Sequence, residues 1–337
     1  MYRMNHKLKK NRIWNFSIPL TLVFLVIFFS CVFLDSIVYE PTATAGEKAT
    51  FTMKVRFEPL AAVNDDRLVV AFLVPKIWNA AANTKVTYTS SLYTGSIRTM
   101  SLIPSGTLPK NAAGLTWEAA LRERFGFGPN VLDDMEWLVY WSDDMESVTV
   151  RENFTADVKI ETKTGPENMN VKLGFFVNHT DDGFSGSADH YKVLYTDCFQ
   201  VINGEGIIMD FCESHFNMFQ PSNVTKDDIA TIKFQGGIAP NALDGEAEVY
   251  MCATAYTNTG NAYEVVDRSE KSKMIKDSHN GKTFSLTLWL GDYFKIPQDE
   301  SISRIEYYFT NKDGSKSVKE VAADGTASLF ITPCICK

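Results

Sequence analysis

LVVAFLVP, residues 68–75, is a run of seven apolar residues that ends at a proline. Seven residues suit a strand better than a helix, and a run without polar positions is typical of a strand that is buried on both faces. Pro75 ends the run because proline cannot donate a hydrogen bond to a neighbouring strand. This stretch therefore predicts a central strand with apolar layers on both sides.

The neighbouring segments show a different pattern. Apolar residues alternate with polar ones from Phe51 to Phe57 and again from Phe154 to Ile160, which predicts half-buried strands. Helical spacing is found from Trp117 to Phe125, with Thr116 as its cap and glycines after it. We expect an all-β chain of two immunoglobulin-like β-sandwich domains, the first with a helical insertion at about residues 111–128.

Short strands are predicted on both sides of a turn-rich break at Asn203–Gly206. The expected organisation is a leader and anchor over residues 1–35, a first domain over 36–205 and a second over 206–337. A division near Phe219–Pro221 is the alternative. The segment Val38–Lys48 contains proline and several threonines and is expected to be a spacer between the anchor and the first strand. Further strands are predicted at Leu68–Val74, Val86–Thr89, Trp137–Trp141, Val171–Val177, Tyr191–Ile202, Ile229–Phe234, Glu246–Tyr256, Thr283–Trp289, Arg304–Thr310 and Thr326–Thr332.

Residues 17–34, SIPLTLVFLVIFFSCVFL, are strongly apolar and follow five basic residues. This pattern is typical of a bacterial export signal. Phe28-Phe29-Ser30-Cys31 resembles a lipoprotein box, in which Cys31 is lipidated and becomes the mature N-terminus. An uncleaved membrane helix is the alternative, since the run reaches the roughly 17–25 residues that spanning requires. With either anchor, the chain after Asp35 is expected to be exported and tethered to a membrane.

The net charge of the chain without its leader narrows the class of possible partners. Without the leader, 33 basic residues fall by five to 28 against 41 acidic residues, a net charge of −13. Such a surface disfavours nucleic acid as a partner.

The remaining cysteines show no zinc-ribbon or redox spacing, so we expect buried or tail thiols, with one long-range disulfide as an alternative. They are Cys198, Cys212, Cys252, Cys334 and Cys336.

No motif indicates catalysis. There is no Gly-x-Ser-x-Gly element, and the paired aspartates are adjacent in sequence, which does not give the separation that a glycosidase needs. The loop from His179 to His190 offers Asp181, Asp182 and Asp189 as possible calcium ligands, but it lacks the closing glutamate of an EF-hand and is expected to be a surface loop. We expect no enzyme activity, no metal and no cofactor. A glycoside hydrolase is a further hypothesis, which only the paired aspartates and the resemblance described below support.

The second domain carries the candidate binding residues. In Thr283–Trp289 the alternation turns Phe284, Leu286 and Leu288 inward and leaves Trp289 outward. Sugar rings stack on aromatic side chains, while their hydroxyls bond to amides and charged groups. The residues predicted to bind carbohydrate are Trp289, Tyr256, Asn258, Tyr263, Lys273, Asp292 and Tyr293. Packing within the sheets is the alternative role for these aromatics.

Two parts of the second domain resemble carbohydrate-binding sandwiches that flank or resemble starch-acting enzymes. The parts are Tyr307–Gly314, with the sequence YYFTNKDG, and Glu248–Tyr256 with Thr257–Gly260 and Lys273-Met274. This resemblance implies an immunoglobulin-like module that binds a polysaccharide or oligosaccharide, with an α-glucan as one candidate.

The first domain is similar to an uncharacterised family of exported lipoproteins of Bacteroides-type bacteria. The residues that carry the resemblance are Ala45–Thr52, Leu68–Trp78 with Asn79-Ala-Ala, and Trp137–Ser142 with Asp143. Members of this family accompany starch-utilisation-like uptake systems of the outer membrane. The resemblance implies a lipid-anchored outer-membrane protein, more often at the cell surface than on the periplasmic face, that binds glycan without catalysis. The alternative is a structural lipoprotein that docks onto a transporter or a neighbouring lipoprotein and binds no sugar.

Overall fold

The computed structural model describes residues 31–59, 61–221, 224–278, 281–321 and 326–334. The leader, residues 1–30, lies outside the described residues, so the export signal stays a prediction. In the described part of the chain, 26 strands and two α-helices form two regions, each with its own hydrophobic core. The predicted all-β fold class, with two sandwiches and a short helix in the first, is confirmed.

The first region contains β1 (Cys31–Tyr39), β2 (Thr42–Thr44), β3 (Lys48–Glu58), β4 (Val63–Asp66), β5 (Leu68–Pro75), β6 (Lys85–Ser90), β7 (Arg98–Leu102), α1 (Trp117–Phe125), β8 (Met135–Ser142), β9 (Glu146–Val148), β10 (Phe154–Lys163), β11 (Glu167–Val171), β12 (Gly174–His179), β13 (Lys192–Tyr195), β14 (Phe199–Ile202) and β15 (Glu205–Asp210). The second region contains β16 (Asn217–Gln220), β17 (Ile229–Gln235), β18 (Tyr250–Thr257), β19 (Ala262–Val265), β20 (Ile275–Lys276), β21 (Thr283–Trp289), α2 (Leu290–Phe294), β22 (Ile302–Thr310), β23 (Ser317–Val318), β24 (Glu320–Val321), β25 (Ala327–Ser328) and β26 (Phe330–Pro333).

The first region is built on a nine-stranded sheet with the order β1-β3-β10-β6-β7-β8-β5-β12-β13. A four-stranded sheet, β15-β11-β14-β2, packs against it. At the centre of the core, the ring of Phe51 lies 5.5 Å from that of Phe72 and 5.4 Å from those of Phe175 and Phe199. These four rings come from β3, β5, β12 and β14, so the core joins the two sheets.

Strand β5 is buried along its whole length, as the apolar run predicts. One face contacts the core, and α1 covers the other side of the sheet. The Trp117 ring of α1 lies 6.1 Å from Phe184, whose ring stacks on Phe176 of β12. The hydroxyl of Thr116 accepts the N–H of Ala119 at the start of the helix, as its sequence predicts. The helix therefore supplies the second apolar layer that β5 requires.

Strand β1 corrects the expected start of the first domain. It begins at Cys31 and pairs with β3 along its length, and Val32 and Leu34 are buried in the core. The predicted start at Ser36 is therefore wrong, as is the spacer at Val38–Lys48, because that segment contains the end of β1 and all of β2. The sequence does not reveal the start of this strand, because the first residues of β1 are also the last residues of the apolar run 17–34.

In the second region, a four-stranded sheet with the order β16-β17-β21-β20 packs against a sheet built from β19, β18, β22, β23 and β26. The ring centroids of Phe234 and Phe309, one from each sheet, are 5.0 Å apart. Strand β15 pairs with β11 of the first region, and Phe211 belongs to the first core. The division between the regions therefore falls between Asp210 and Asn217, a few residues after the predicted boundary at 205.

Two segments predicted as single strands each contribute to both sheets of the first region. The segment Val171–Val177 breaks after β11, and Tyr191–Ile202 breaks between β13 and β14. Buried Asn130 holds the first break: its side chain accepts the Lys172 N–H and donates to the Lys172 carbonyl, both at 2.9 Å. A distant amide stabilises this corner, so the local sequence pattern does not reveal it.

Candidate functional site

Trp289 is the most exposed of the predicted aromatic residues. It ends β21, where Phe284, Leu286 and Leu288 point into the core, and 54% of its surface is exposed. Across the sheet it is paired with Ile229 of β17, which is 69% exposed. Two large apolar side chains thus lie side by side on the outside of the second region, as the alternation in β21 predicts for Trp289.

The outward side chains of four strands form one surface, which we call the sheet face. Its members are Met218 and Gln220 of β16, Ile229, Thr231, Lys233 and Gln235 of β17, Thr283, Ser285, Thr287 and Trp289 of β21, and Ile275 of β20. Beside the apolar pair, the Thr231 and Thr287 hydroxyls are 2.8 Å apart. Along the strands from this apolar pair, the sheet face therefore presents hydroxyl and amide groups and the Lys233 ammonium group.

The structure does not bring Tyr256 to Trp289. Tyr256 points outward from β18, which belongs to the opposite sheet, so the two rings are on opposite outer faces of the sandwich. The Arg304 guanidinium also lies 3.9 Å from the centroid of the Tyr256 ring. A single sugar chain cannot stack on both aromatic residues, and their prediction as parts of one site is wrong.

Asn258 and Tyr263 lie at the hairpin end of β18 and β19. The backbone N–H of Asn258 donates to the Ser301 carbonyl, and its side chain accepts the Ser301 N–H, both at 3.0 Å. The Tyr263 hydroxyl donates to a Glu300 carboxylate oxygen at 3.0 Å. These contacts stabilise the connection from α2 to β22, and the role of either residue in binding stays a prediction.

Lys273 lies far from Tyr256 and Asn258, at the other end of β18. It forms a bridge with Tyr250 at the start of β18, six residues before Tyr256, which is about 20 Å along a strand. Its ammonium group makes an ion pair with Glu248. It therefore does not belong to the same site as Asn258.

Tyr293 and Asp292 both lie on α2, but Tyr293 is buried and Asp292 is exposed. Tyr293 is 5% exposed and packs in the second core, with its ring 4.9 Å from that of Phe294. Its ring offers no face to a ligand, so the predicted stacking role is wrong. Asp292 is exposed, three residues after Trp289, and remains a candidate polar partner beside the sheet face. The short helix α2 begins where β21 ends, and its turn directs Tyr293 inward.

A cleft of about 540 Å³ separates the two regions, and the sequence did not predict it. Its walls include Val131, Leu132, Asn170, Gly206–Asp210, Glu213–His215, Asn217–Gln220, Gln235, Glu320, Ile331 and Pro333. On its wall the His215 ring nitrogen lies 3.0 Å from the Asp210 carboxylate. The hydrogen bond to Asp210 raises the pKa of His215, and although burial alone would raise the pKa of Asp210, its hydrogen bonds lower it. A cleft between two regions leaves no signal in local sequence.

A smaller cavity of about 50 Å³ opens at one end of the first region. Most of its lining is apolar, and the buried His179 forms part of the wall. A single water molecule needs roughly 10–15 Å³ of such space, so the cavity has room for a few waters and not for a sugar ring. We therefore exclude it as the glycan site.

His179 is held between two carboxylates. Its Nδ1 lies 2.5 Å from Asp66 and its Nε2 2.7 Å from Asp182, whose other oxygen lies 3.3 Å from His190. Burial alone would lower the pKa of His179, but the bonds and charges of Asp182 and Asp66 raise it to about 9. The loop expected to lie on the surface thus supplies a buried ion network, and its aspartate Asp181 pairs with Lys110.

The cysteines form one disulfide among the described residues, between Cys198 and Cys212. The two residues are 14 positions apart, so the bridge is shorter in range than the alternative considered from the sequence. Asp210 lies beside both sulfurs, but these sulfurs are bonded to each other and cannot act as thiolate ligands to a metal. Cys252 is a buried thiol and Cys334 a half-buried one.

Comparison with protein families identifies the chain. Residues 32–215 match a family described as a domain of unknown function (DUF4961), and residues 217–318 match a second one (DUF8578). The first match covers more than half of the chain, so the protein belongs to the DUF4961 family. The prediction of an uncharacterised family is confirmed at this level. No curated protein matches the chain.

Similar solved structures include bacterial surface proteins. The C-terminal domain of the Streptococcus pyogenes antigen I/II-family protein AspA is 8% identical, with 91% of this chain and 98% of that chain covered and a TM-score of 0.26. The major pilin subunit BcpA of Bacillus cereus is 11% identical, with 88% and 65% covered and a TM-score of 0.23. At these TM-scores the similarity carries no argument about function. Among the described residues, no helix is both long and apolar enough to span a membrane.

Proposed function

We propose that this protein is a lipid-anchored, non-catalytic glycan-binding accessory of an outer-membrane polysaccharide uptake system. The observation that carries the proposal is Trp289, a half-exposed tryptophan beside exposed Ile229 on the sheet face. Exposed apolar side chains in a group usually mark a binding surface. The anchor, the outer membrane and the uptake system enter through the leader and the family resemblance.

The chemistry of the sheet face suits an uncharged sugar chain. Trp289 and Ile229 offer apolar contact to the C–H faces of sugar rings, and Thr231, Thr287 and Gln220 offer hydroxyl and amide groups to sugar hydroxyls. Hydroxyl and amide groups both donate and accept hydrogen bonds, as sugar hydroxyls do. The excess of acidic residues in the chain argues against an anionic polysaccharide.

Affinity electrophoresis tests the proposal. The fragment of residues 32–337 is run through gels that contain neutral polysaccharides, α-glucans included, beside the Trp289→Ala and Ile331→Ala variants. Ile331 is 56% exposed, close to the value for Trp289, but lines the cleft between the regions. We expect retardation in at least one gel, weakened by Trp289→Ala about tenfold or more in Kd, as for a central aromatic contact, and unchanged by Ile331→Ala.

The other outcomes discriminate among the alternatives. Retardation that Ile331→Ala weakens and Trp289→Ala leaves intact would place the glycan in the cleft. No retardation in any gel would favour a structural lipoprotein that docks onto a transporter or a neighbouring lipoprotein. The same exposed pair, Trp289 and Ile229, can serve as an anchor for a protein partner. Recovery of an outer-membrane protein with the wild-type chain, and its loss with Trp289→Ala, would support that second function.

A further inference from the structure

The strand registers gather the start of the chain and four connections at one end of the first region. Cys31 of β1 is paired with Glu58 at the end of β3, and Phe57 is paired with Phe154 at the start of β10. Continuing across the sheet, the same end holds the segments 59 and 61–67, 91–97, 143–153 and 180–191. We call this end, with Cys31 and these four segments, the anchor pole.

The second region lies at the opposite end. Val131 and Leu132, which precede the start of β8, line the cleft together with residues of the second region. The backbone N–H of Val131 donates to the Phe211 carbonyl at 2.8 Å, where the chain leaves the first region. Strand β8 runs from this end to Ser142 at the anchor pole. The length of the sheet therefore separates Cys31 from the second region.

No spacer connects Cys31 to the folded chain. Cys31 is itself the first residue of β1, and the N–H of the next residue, Val32, donates to the Asp189 carbonyl at 2.9 Å. Val32 is fully buried. Any lipid on Cys31 is consequently joined directly to the core of the first region, and the anchor pole must then lie next to the membrane.

The anchor pole exposes large apolar side chains. Ile97 is 75% exposed, Met145 56% and Val150 54%, and they belong to two different connections of this end. The backbone N–H of Arg151 donates to the Pro59 carbonyl at 2.8 Å, which ties the Val150 connection to a third one. Apolar side chains in such positions can insert into the headgroup boundary of a bilayer.

Many of the carboxylates at this pole are paired with cations. Arg98 lies 3.2 Å from Asp144 and 2.9 Å from Glu146. Asp181 pairs with Lys110, and Asp66 and Asp182 pair with protonated His179. These five carboxylates share three cations, Arg98, Lys110 and His179, which reduces the net charge of the group from −5 to −2.

We propose that the anchor pole is a membrane-contacting surface, with Ile97, Met145 and Val150 at the headgroup boundary and the second region directed away from the bilayer. The inference rests on the membrane anchor of the proposed function but not on glycan binding. It holds for a lipid on Cys31, because that lipid is attached to the first residue of β1. In this orientation the sheet face with Trp289 is held away from the lipid.

Fluorescence from two matched positions tests this orientation. Ile97 and Ile275 are 75% and 74% exposed, the first at the anchor pole and the second on the sheet face. Each is replaced by cysteine in a full-length chain in which Cys334 and Cys336 are serine, and labelled with an environment-sensitive nitrobenzoxadiazole dye. The proteins are purified with their anchor and incorporated into phosphatidylethanolamine–phosphatidylglycerol vesicles, with and without doxyl-labelled lipid.

We expect the dye in Ile97→Cys to shift its emission to the blue on vesicles and to lose intensity with doxyl lipid. The dye in Ile275→Cys should show neither change. Equal responses at both positions, or a stronger response at Ile275→Cys, would overturn the orientation. A chain that does not float with vesicles would refute the anchor and the inference together. Neither readout depends on glycan, so failure of sugar binding by the fragment of residues 32–337 is a separate result.

Discussion

The buried ion network of His179 predicts that the stability of the first region depends on pH in a defined window. The pKa of His179 is about 9 in the folded protein and 6.5 as its ordinary value. The protonated side chain therefore stabilises the fold fully below pH 6.5, and this contribution is lost as the pH rises through 9. At 1.36 kcal/mol per pKa unit, the loss is about 3 kcal/mol.

The neighbouring carboxylate acts in a different window. Burial alone would raise the pKa of Asp66, but its hydrogen bond with His179 and further hydrogen bonds lower it below 3.8. Its contribution is present above pH 3.8 and is lost as the pH falls further into the acid range. Between pH 6.5 and 9.5 the change therefore comes from His179 rather than from Asp66.

Urea unfolding of residues 32–337, followed by tryptophan fluorescence at pH 6.5 and 9.5, measures this effect. Four of the five tryptophans in that fragment, Trp78, Trp117, Trp137 and Trp141, lie in the first region, so the signal reports mainly on it. Between pH 6.5 and pH 9.5, we expect the free energy of unfolding of the wild type to fall by about 3 kcal/mol more than that of a His179→Gln variant.

Two further variants complete the test. Asp182→Asn removes one of the two carboxylates, so the fall between pH 6.5 and 9.5 should be smaller than in the wild type. His215→Gln removes a histidine whose pKa is also raised but whose side chain is 41% exposed, so it should reduce the fall by less than His179→Gln does. Identical pH dependence in the wild type and in His179→Gln would refute the reasoning.

Two other changes test the fold. A fragment that starts at Ser36 removes the buried Val32 and Leu34 from the core, so it should be less stable than residues 32–337 by about 3 kcal/mol or more, measured by urea unfolding. Equal stability would show that β1 contributes nothing to the core. Reduction of the Cys198–Cys212 bond should lower the free energy of unfolding by about 3 kcal/mol, the value for a loop of roughly 15 residues, with a Cys198→Ser, Cys212→Ser double variant as the unchanged control. The same loss in that control would assign the effect to the reductant.

The sequence predicted the strands whose pattern is local. The apolar run of β5 and the alternation in β3, β10, β17 and β21 each correspond to a strand of the structure. The helix α1 was predicted because its cap, its spacing and its closing glycine agree. These signals depend only on residues within a few positions of one another, so one sequence is enough to find them.

The candidate site was predicted less well for a physical reason. Alternation tells which side chains of a strand point outward, and it placed Trp289 correctly. It does not tell which of two sheets a strand joins, so the candidate residues include both Tyr256 and Trp289 although their sheets face opposite ways. Tyr293 was misplaced because the alternation stops at Trp289, where α2 begins.

The Cys198–Cys212 disulfide determines how the molecule carries mechanical load. Only Glu213–Phe216 lie between Cys212 and β16, so tension on the second region reaches this cysteine first. The bond passes the tension to Cys198, next to β14, an inner strand of the four-stranded sheet. Strand β15, an edge strand of that sheet, is thereby bypassed and is not peeled away hydrogen bond by hydrogen bond. A tethered protein that holds a moving polymer would thus transmit the pull through a covalent bond to its core.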